Sequence, residues 1–239
     1  DDPNVVRSSH RIYVSEDSYI AYGFPDSNFG SSNDLYLGWQ NGNQEAMRVL
    51  IKFDIGAIPD NAIVHSARVH IYQNLIVPNS DGNMDFKAQY MRQDWGEGSV
   101  TWNNANYLGG DQLPFGTVPN QFGYLSGDAT TMVKSWASGQ HPNYGLLITG
   151  DETPSNNRSR RFESREGSNP PYIDVEYDVH CDTIAPDATV NPLPAYEPGL
   201  FLVQWHGEDH APAQCSPSGI ANYDVQYRIN GGNWVHWKD

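Results

Sequence analysis

The chain has 239 residues, enough for one large domain or two small ones. Its 14 Lys and Arg face 29 Asp and Glu, for a formal charge of −15. That balance repels nucleic acid and anionic lipid, which both demand a large basic footprint, and it suits an exported soluble protein or one that binds divalent cations. No run of about 18 apolar residues occurs, so no membrane insertion is expected.

Apolar alternation marks strands along the first three quarters of the chain. They are "RIYVSEDSYIAY" (11–22), "DLYLGW" (34–39), "MRVLIKF" (47–53), "AIVHSARVHIYQ" (62–73), "DFKAQYMR" (85–92), "GLLITG" (145–150), "RRFESR" (160–165) and "YIDVEY" (172–177). Each is short and bounded by Gly, Pro, Asn or Asp, which predicts an all-β sandwich or jelly roll rather than βαβ units. One segment departs from period two. "DATTMVKSWASG" (128–139) offers Asp128 as an N-cap, Met132, Val133 and Trp136 at helical spacing, and Gly139 as a stop. It predicts one short helix over an end of the sandwich.

A boundary is expected near 178–187, giving domains 1–180 and 181–239. Strands resume in "LFLVQWHG" (200–207), "NYDVQYRING" (222–231) and "GNWVHW" (232–237). Their order is that of the first half of an immunoglobulin-type or fibronectin type III sandwich. Such a domain needs about 90–100 residues, and only about 55 follow the boundary, so this β-sandwich is expected to be partial or completed by another element.

Cys181 and Cys215 lack the CxxC spacing of a zinc site. In an exported protein they would pair, stabilising by roughly 3–4 kcal/mol on the chain-entropy model, or else stay as thiols.

"DSYIAYGFPDSNFGSSNDLYLGW", "RVLIKFDIGAIPDNAIVHSARVHIY", "DWGEGSVTWNNA", "NYGLLI" and "RFESREGSNPPYIDVEY" follow one another in order over the first 178 residues. This series resembles the DNRLRE or disaggregatase-related module. The resemblance implies a jelly-roll-like β-sandwich of secreted and surface proteins, some of them carbohydrate-binding modules linked to alginate. It implies accessory binding or display rather than catalysis. It also implies that Trp95, Glu97, Thr101 and Trp102 belong to the scaffold.

Several residues carry candidate chemistry. Trp95 and Trp102 would plug the sandwich end with their indole N–H groups on loop carbonyls, whereas Tyr107, farther into a Gly-rich loop, and Trp39 are candidates for stacking on sugar. Arg158, Arg160, Arg161 and Arg165 form a basic tract in an acidic chain. Guanidinium groups pair bidentately with carboxylates, so the tract would suit a uronic-acid polymer, or it neutralises neighbouring Asp and Glu. Alternation puts Arg160, Phe162 and Ser164 on one face and Arg161, Glu163 and Arg165 on the other.

Asn79, Asp81, Asn83 and Asp85 alternate around Gly82. That pattern is a looser calcium loop or an Asp-Gly hairpin; Tyr90 at the twelfth place excludes an EF-hand. Asp17, near the first strand, is a further calcium-ligand candidate. The pairs Asn28/Gly30 and Asn143/Gly145 are expected to cap backbone while Gly takes positive φ.

No HExxH, GxSxG, P-loop or GxGxxG occurs, and the eight histidines do not cluster at ligand spacing, so no enzyme is expected. The expected protein is a secreted or cell-surface module. It binds an extracellular polysaccharide, or it packs with neighbouring copies of itself as a subunit of a surface layer, stalk or filament.

Overall fold

The structure is a computed structural model. It describes residues 5–40, 45–60, 62–76, 82–107, 112–154, 158–180, 184–193, 199, 201–211, 217 and 219–238. The chain divides into a compact unit, Arg7–Asp178, and a second made of Asp1–Val6 with Val179–Asp239.

The first unit is all-β with one short helix. In chain order its elements are β1 (Val5–Ala21), β2 (Asp34–Gln40), β3 (Glu45–Phe53), β4 (Ile63–Leu75), β5 (Met84–Tyr90), β6 (Leu113–Val118), β7 (Gly123–Asp128), α1 (Thr130–Ala137), β8 (Leu146–Thr149), β9 (Ser159–Glu163) and β10 (Tyr172–His180). The hydrogen-bonded order is β1-β10-β4-β9-β2-β3-β8-β5-β6, with β7 on β4 and β1 also on β3. β1 therefore serves two layers of the β-sandwich. It neighbours β10, and from Val14 onward it pairs antiparallel with β3, Val14 opposite Phe53 and Ala21 opposite Met47. The register shifts between Val14 and Glu16, and such a bulge bends a strand from one layer to the next.

Alternating inward residues fill the core: Leu35 and Leu37, Val49 and Ile51, Val69 and Ile71, Phe86, Phe162, Ile173 and Val175 are all buried. β3 is apolar on both faces for a second reason. Leu50, on its outer side, joins Ile20, Leu147, Met91, Trp95 and Val100 in a small outer core. A strand covered on both faces needs an apolar run, and Val49-Leu50-Ile51 within "MRVLIKF" is one.

Two strands escaped the sequence pattern. β6 contains Pro114 and Gly116, and β7 contains Gly123 and Gly127. Pro is tolerated because, among the described residues, β6 is an edge strand bonded only to β5. Gly127 lets the Phe115 ring lie where a Cβ would sit, 2.0 Å from the nearest ring atom.

The helix begins at Thr130, not at the residue after Asp128. Asp128 still serves the start, because its carboxylate accepts the Thr130 N–H at 2.9 Å. Met132, Val133 and Trp136 are buried as the spacing requires, and Gly139 at φ +71° follows the end. Among the described residues no helix is long and apolar enough to cross a membrane.

The second unit holds two antiparallel pairs, β11 (Asp187–Val190) with β12 (Trp205–Glu208) and β13 (Val225–Tyr227) with β14 (Val235–Lys238). Its apolar residues are poorly covered. Phe201, Leu202, Ile229, Trp234 and Trp237 are all more than half exposed.

Candidate functional site

The β1–β2 loop and the Trp95–Tyr107 segment meet beside the paired ends of β1 and β3. The β1–β2 loop folds back onto the sheet, with the Tyr22 N–H on the Ala46 carbonyl at 2.9 Å. The Trp95–Tyr107 segment holds it there. Asn28 Nδ2 donates to the Glu97 and Val100 carbonyls at 2.7 and 2.8 Å, the Asn103 N–H donates to the Pro25 carbonyl, and Asn103 Nδ2 reaches Asp26.

Gly30 is required by space rather than by positive φ, since a Cβ there would stand 2.0 Å from the Glu97 carbonyl oxygen. Gly145 does take positive φ, +81°, and Asn143 caps the backbone beside it. Gly30→Ala should push the two loops apart and cost about 1–3 kcal/mol, read as a lower urea midpoint at unchanged m-value.

The clasped loop carries aromatic rings. Phe29 stacks on Tyr19 with centroids 4.2 Å apart, and Tyr36 and Phe24 meet that pair edge-on. These rings, with Gln40, Glu45 and Met47, line a groove of about 370 Å³. Burial pushes the Tyr19 phenol up to about 12, so it remains a neutral hydrogen-bonding group. Beside the groove Tyr22 is 60% exposed and Phe24 51% exposed. Tyr22 stands edge-on to Trp102 at 5.6 Å. The Arg48 guanidinium lies 4.5 Å from the Trp102 ring centre and is held by Glu152 through bonds of 2.8 and 2.9 Å. An aromatic strip with fixed polar groups can stack on the apolar face of a sugar ring while bonding its hydroxyls.

A second constellation lies beneath the Trp95–Tyr107 segment. Asp17 on β1, Glu97 in the segment and Glu166 after β9 bring carboxylate oxygens within 4.8 Å of one another. Asp17 is 1% exposed. One of its oxygens accepts the Arg165 N–H at 2.8 Å, and the other has no hydrogen-bond partner. Burial is the main force pushing this carboxyl up to about 7; Glu166 and Glu97 add to it. Arg165 bridges the other two acids, at 3.2 Å from Glu97 and 3.4 Å from Glu166.

The residues singled out in the sequence fare unevenly. Trp95 is buried scaffold, with its indole N–H on the Tyr144 carbonyl at 2.8 Å. Tyr107 is half-buried and accepts a hydrogen bond from Arg48. Trp39 continues the face of Leu35 and Leu37, away from the groove, and its N–H meets the Arg158 carbonyl.

Arg160 corrects the glycan assignment. It is fully buried, donating to the Ser159 and Gly82 carbonyls, so it presents nothing to a ligand. Its strand neighbour Phe162 was the available signal, because that face is the core. Arg161 is bonded to Asn74 and faces Asp34, Arg165 faces the acids above, and Arg158 is 39% exposed at 3.5 Å from Asp151.

In the expected calcium loop, Asn79 and Asp81 lie outside the described residues. Asn83 is exposed, and Asp85 accepts the Thr117 hydroxyl at 2.6 Å across β5 and β6. Cys181 and Cys215 also lie outside the described residues. The sequence missed Tyr22, Phe24, Phe29, Glu97 and Glu166 as site residues.

The model of carbohydrate-binding module family 96 matches residues 8–177. No curated protein matches the chain.

Proposed function

Because the chain belongs to carbohydrate-binding module family 96, we propose that it acts as a non-catalytic, extracellular module that holds a polysaccharide on the aromatic strip of Tyr22, Phe24, Phe29 and Trp102. The observation that carries this reading is the exposure of Tyr22 and Phe24 beside a groove of about 370 Å³ that also presents Gln40 and Glu45. Large rings left in solvent by a loop that is itself tightly bonded are held ready for a ligand, at low ordering cost. Tyr107 contributes through Arg48, whose guanidinium lies over both Trp102 and Tyr107.

Preference for a uronic acid rests on Arg158, the member of the basic tract with an open guanidinium and only a loose acidic neighbour. An affinity gel tests both levels. Migration should be retarded by at least one polysaccharide, and Tyr22→Ala should weaken retardation about tenfold, or about 1.4 kcal/mol. Arg158→Gln should weaken only retardation by uronic polymers. No retardation by any neutral or acidic polymer would contradict the reading, and equal retardation by the Tyr22 variant would move it off this strip.

A structural role has one observation of its own. Phe201, Leu202, Ile229, Trp234 and Trp237 are exposed in the second unit, several of them around an open apolar groove of about 820 Å³. Apolar area of that kind is usually covered by a neighbouring element or copy. Sizing at several concentrations tests this: assemblies favour tandem packing, and a monomer at all concentrations speaks against it.

A further inference from the structure

We infer that Asp17, Glu97 and Glu166 form a binding site for one hard divalent cation of the calcium class, joining β1, the Trp95–Tyr107 segment and the loop after β9. Three observations converge. The carboxylate oxygens lie within 4.8 Å of one another. Oxygens on opposite sides of a calcium ion bound at 2.3–2.6 Å are about 4.6–5.2 Å apart, so all three can reach one ion.

The second observation is an unsatisfied atom. One oxygen of Asp17 is buried without a hydrogen-bond partner, on a residue 1% exposed. A buried carboxylate oxygen left bare is costly, and a cation would satisfy it. The other polar atoms of the cluster are already engaged. Glu97 accepts the Asp17 N–H and Arg165, and Glu166 accepts the Ser164 hydroxyl at 2.8 Å and Arg165.

The third observation is charge. With all three carboxyls ionised, the one guanidinium of Arg165 leaves two negative charges, the complement of a divalent ion. An all-carboxylate donor set favours calcium over magnesium, which keeps most of its water and takes one or two carboxylates.

The site differs from the expected loop at 79–85. Asp85 is engaged with Thr117 instead. None of the three acids lines the groove, so Tyr22→Ala tests the glycan reading and Glu166→Gln tests the cation site, and the two failures are distinguishable.

The test uses the full chain, freed of metal by chelator and then titrated with calcium chloride or magnesium chloride at constant ionic strength. Calorimetry should show one calcium bound per chain and at least tenfold weaker magnesium, and the melting temperature should rise with calcium. Glu166→Gln changes an exposed residue and should fold normally, with calcium binding weakened at least tenfold. Asp17→Asn should abolish it, and Asp85→Asn should leave it intact. Absence of calcium heat with the parent protein would overturn the inference. So would a calcium response undiminished in Glu166→Gln, which would mark general screening of an acidic surface.

Discussion

Trp95→Ala should destabilise the Arg7–Asp178 unit by about 3–5 kcal/mol, the range for truncating a buried tryptophan. The ring seals the outer core of Ile20, Leu50, Met91, Val100 and Leu147. Its N–H satisfies the Tyr144 carbonyl at 2.8 Å, and Lys52 Nζ lies 4.9 Å from the ring centre while also bonded to the Trp95 carbonyl. Truncation leaves a cavity, an unpaired carbonyl and a cation without its ring. For a unit of this size the melting temperature should fall by roughly 6–20 °C, read on its own transition because two units can unfold separately. Were Trp95 a sugar-stacking residue, the variant would instead melt normally and lose only binding.

Asp17→Asn should raise stability at pH 8 in chelator, an unusual direction for a buried substitution. The Asp17 carboxyl is pushed up to about 7 in the folded chain, against an ordinary 3.8. Below the ordinary value both states hold the proton and nothing is lost. As pH rises toward 7 the unfolded chain releases its proton while the folded chain keeps it, so stability falls. Above 7 the loss is complete, on the order of 4 kcal/mol at 1.36 kcal/mol per pH unit. The asparagine variant carries no such charge. Denaturant melts across pH 4–8 should show a falling curve for the parent and a flatter one for the variant, crossing near the acid end. Equal destabilisation of the variant at every pH would contradict this account. Calcium should reverse the parent's decline above pH 7, because the ion favours the charged form.

How far the sequence could be read depended on whether a feature lies along the chain or across it. Alternation located the strands of the sandwich, and helical spacing located Met132, Val133 and Trp136. It failed at β6 and β7, whose Pro and Gly serve an edge and a close ring contact. Trp95 was legible as scaffold because a large ring among turn residues needs a partner for its N–H. The phase that sets Arg160 beside Phe162 points it inward, which strand alternation shows and a tract of four arginines does not.

Tyr22, Phe24 and Phe29 carried a signal in "YGFPDSNFG", three rings among turn formers, which only the folded-back loop turns into a surface. The acid cluster could not be read from spacing. Asp17 lies 80 residues from Glu97 and 148 from Arg165, next to Glu166, and β1 pairing with β3 is part of what brings the segments together.

The most direct test of the central claim is titration calorimetry of the full chain with the polysaccharide that retards it most, beside the Tyr22→Ala/Phe24→Ala double variant. Both residues are mostly exposed and touch only ring edges, so the variant should melt within about 4 °C of the parent. Loss of both rings should weaken binding more than the roughly tenfold of Tyr22→Ala alone, up to about 100-fold were the two losses additive. Undiminished binding by a normally folded double variant would contradict the claim that this strip holds the glycan.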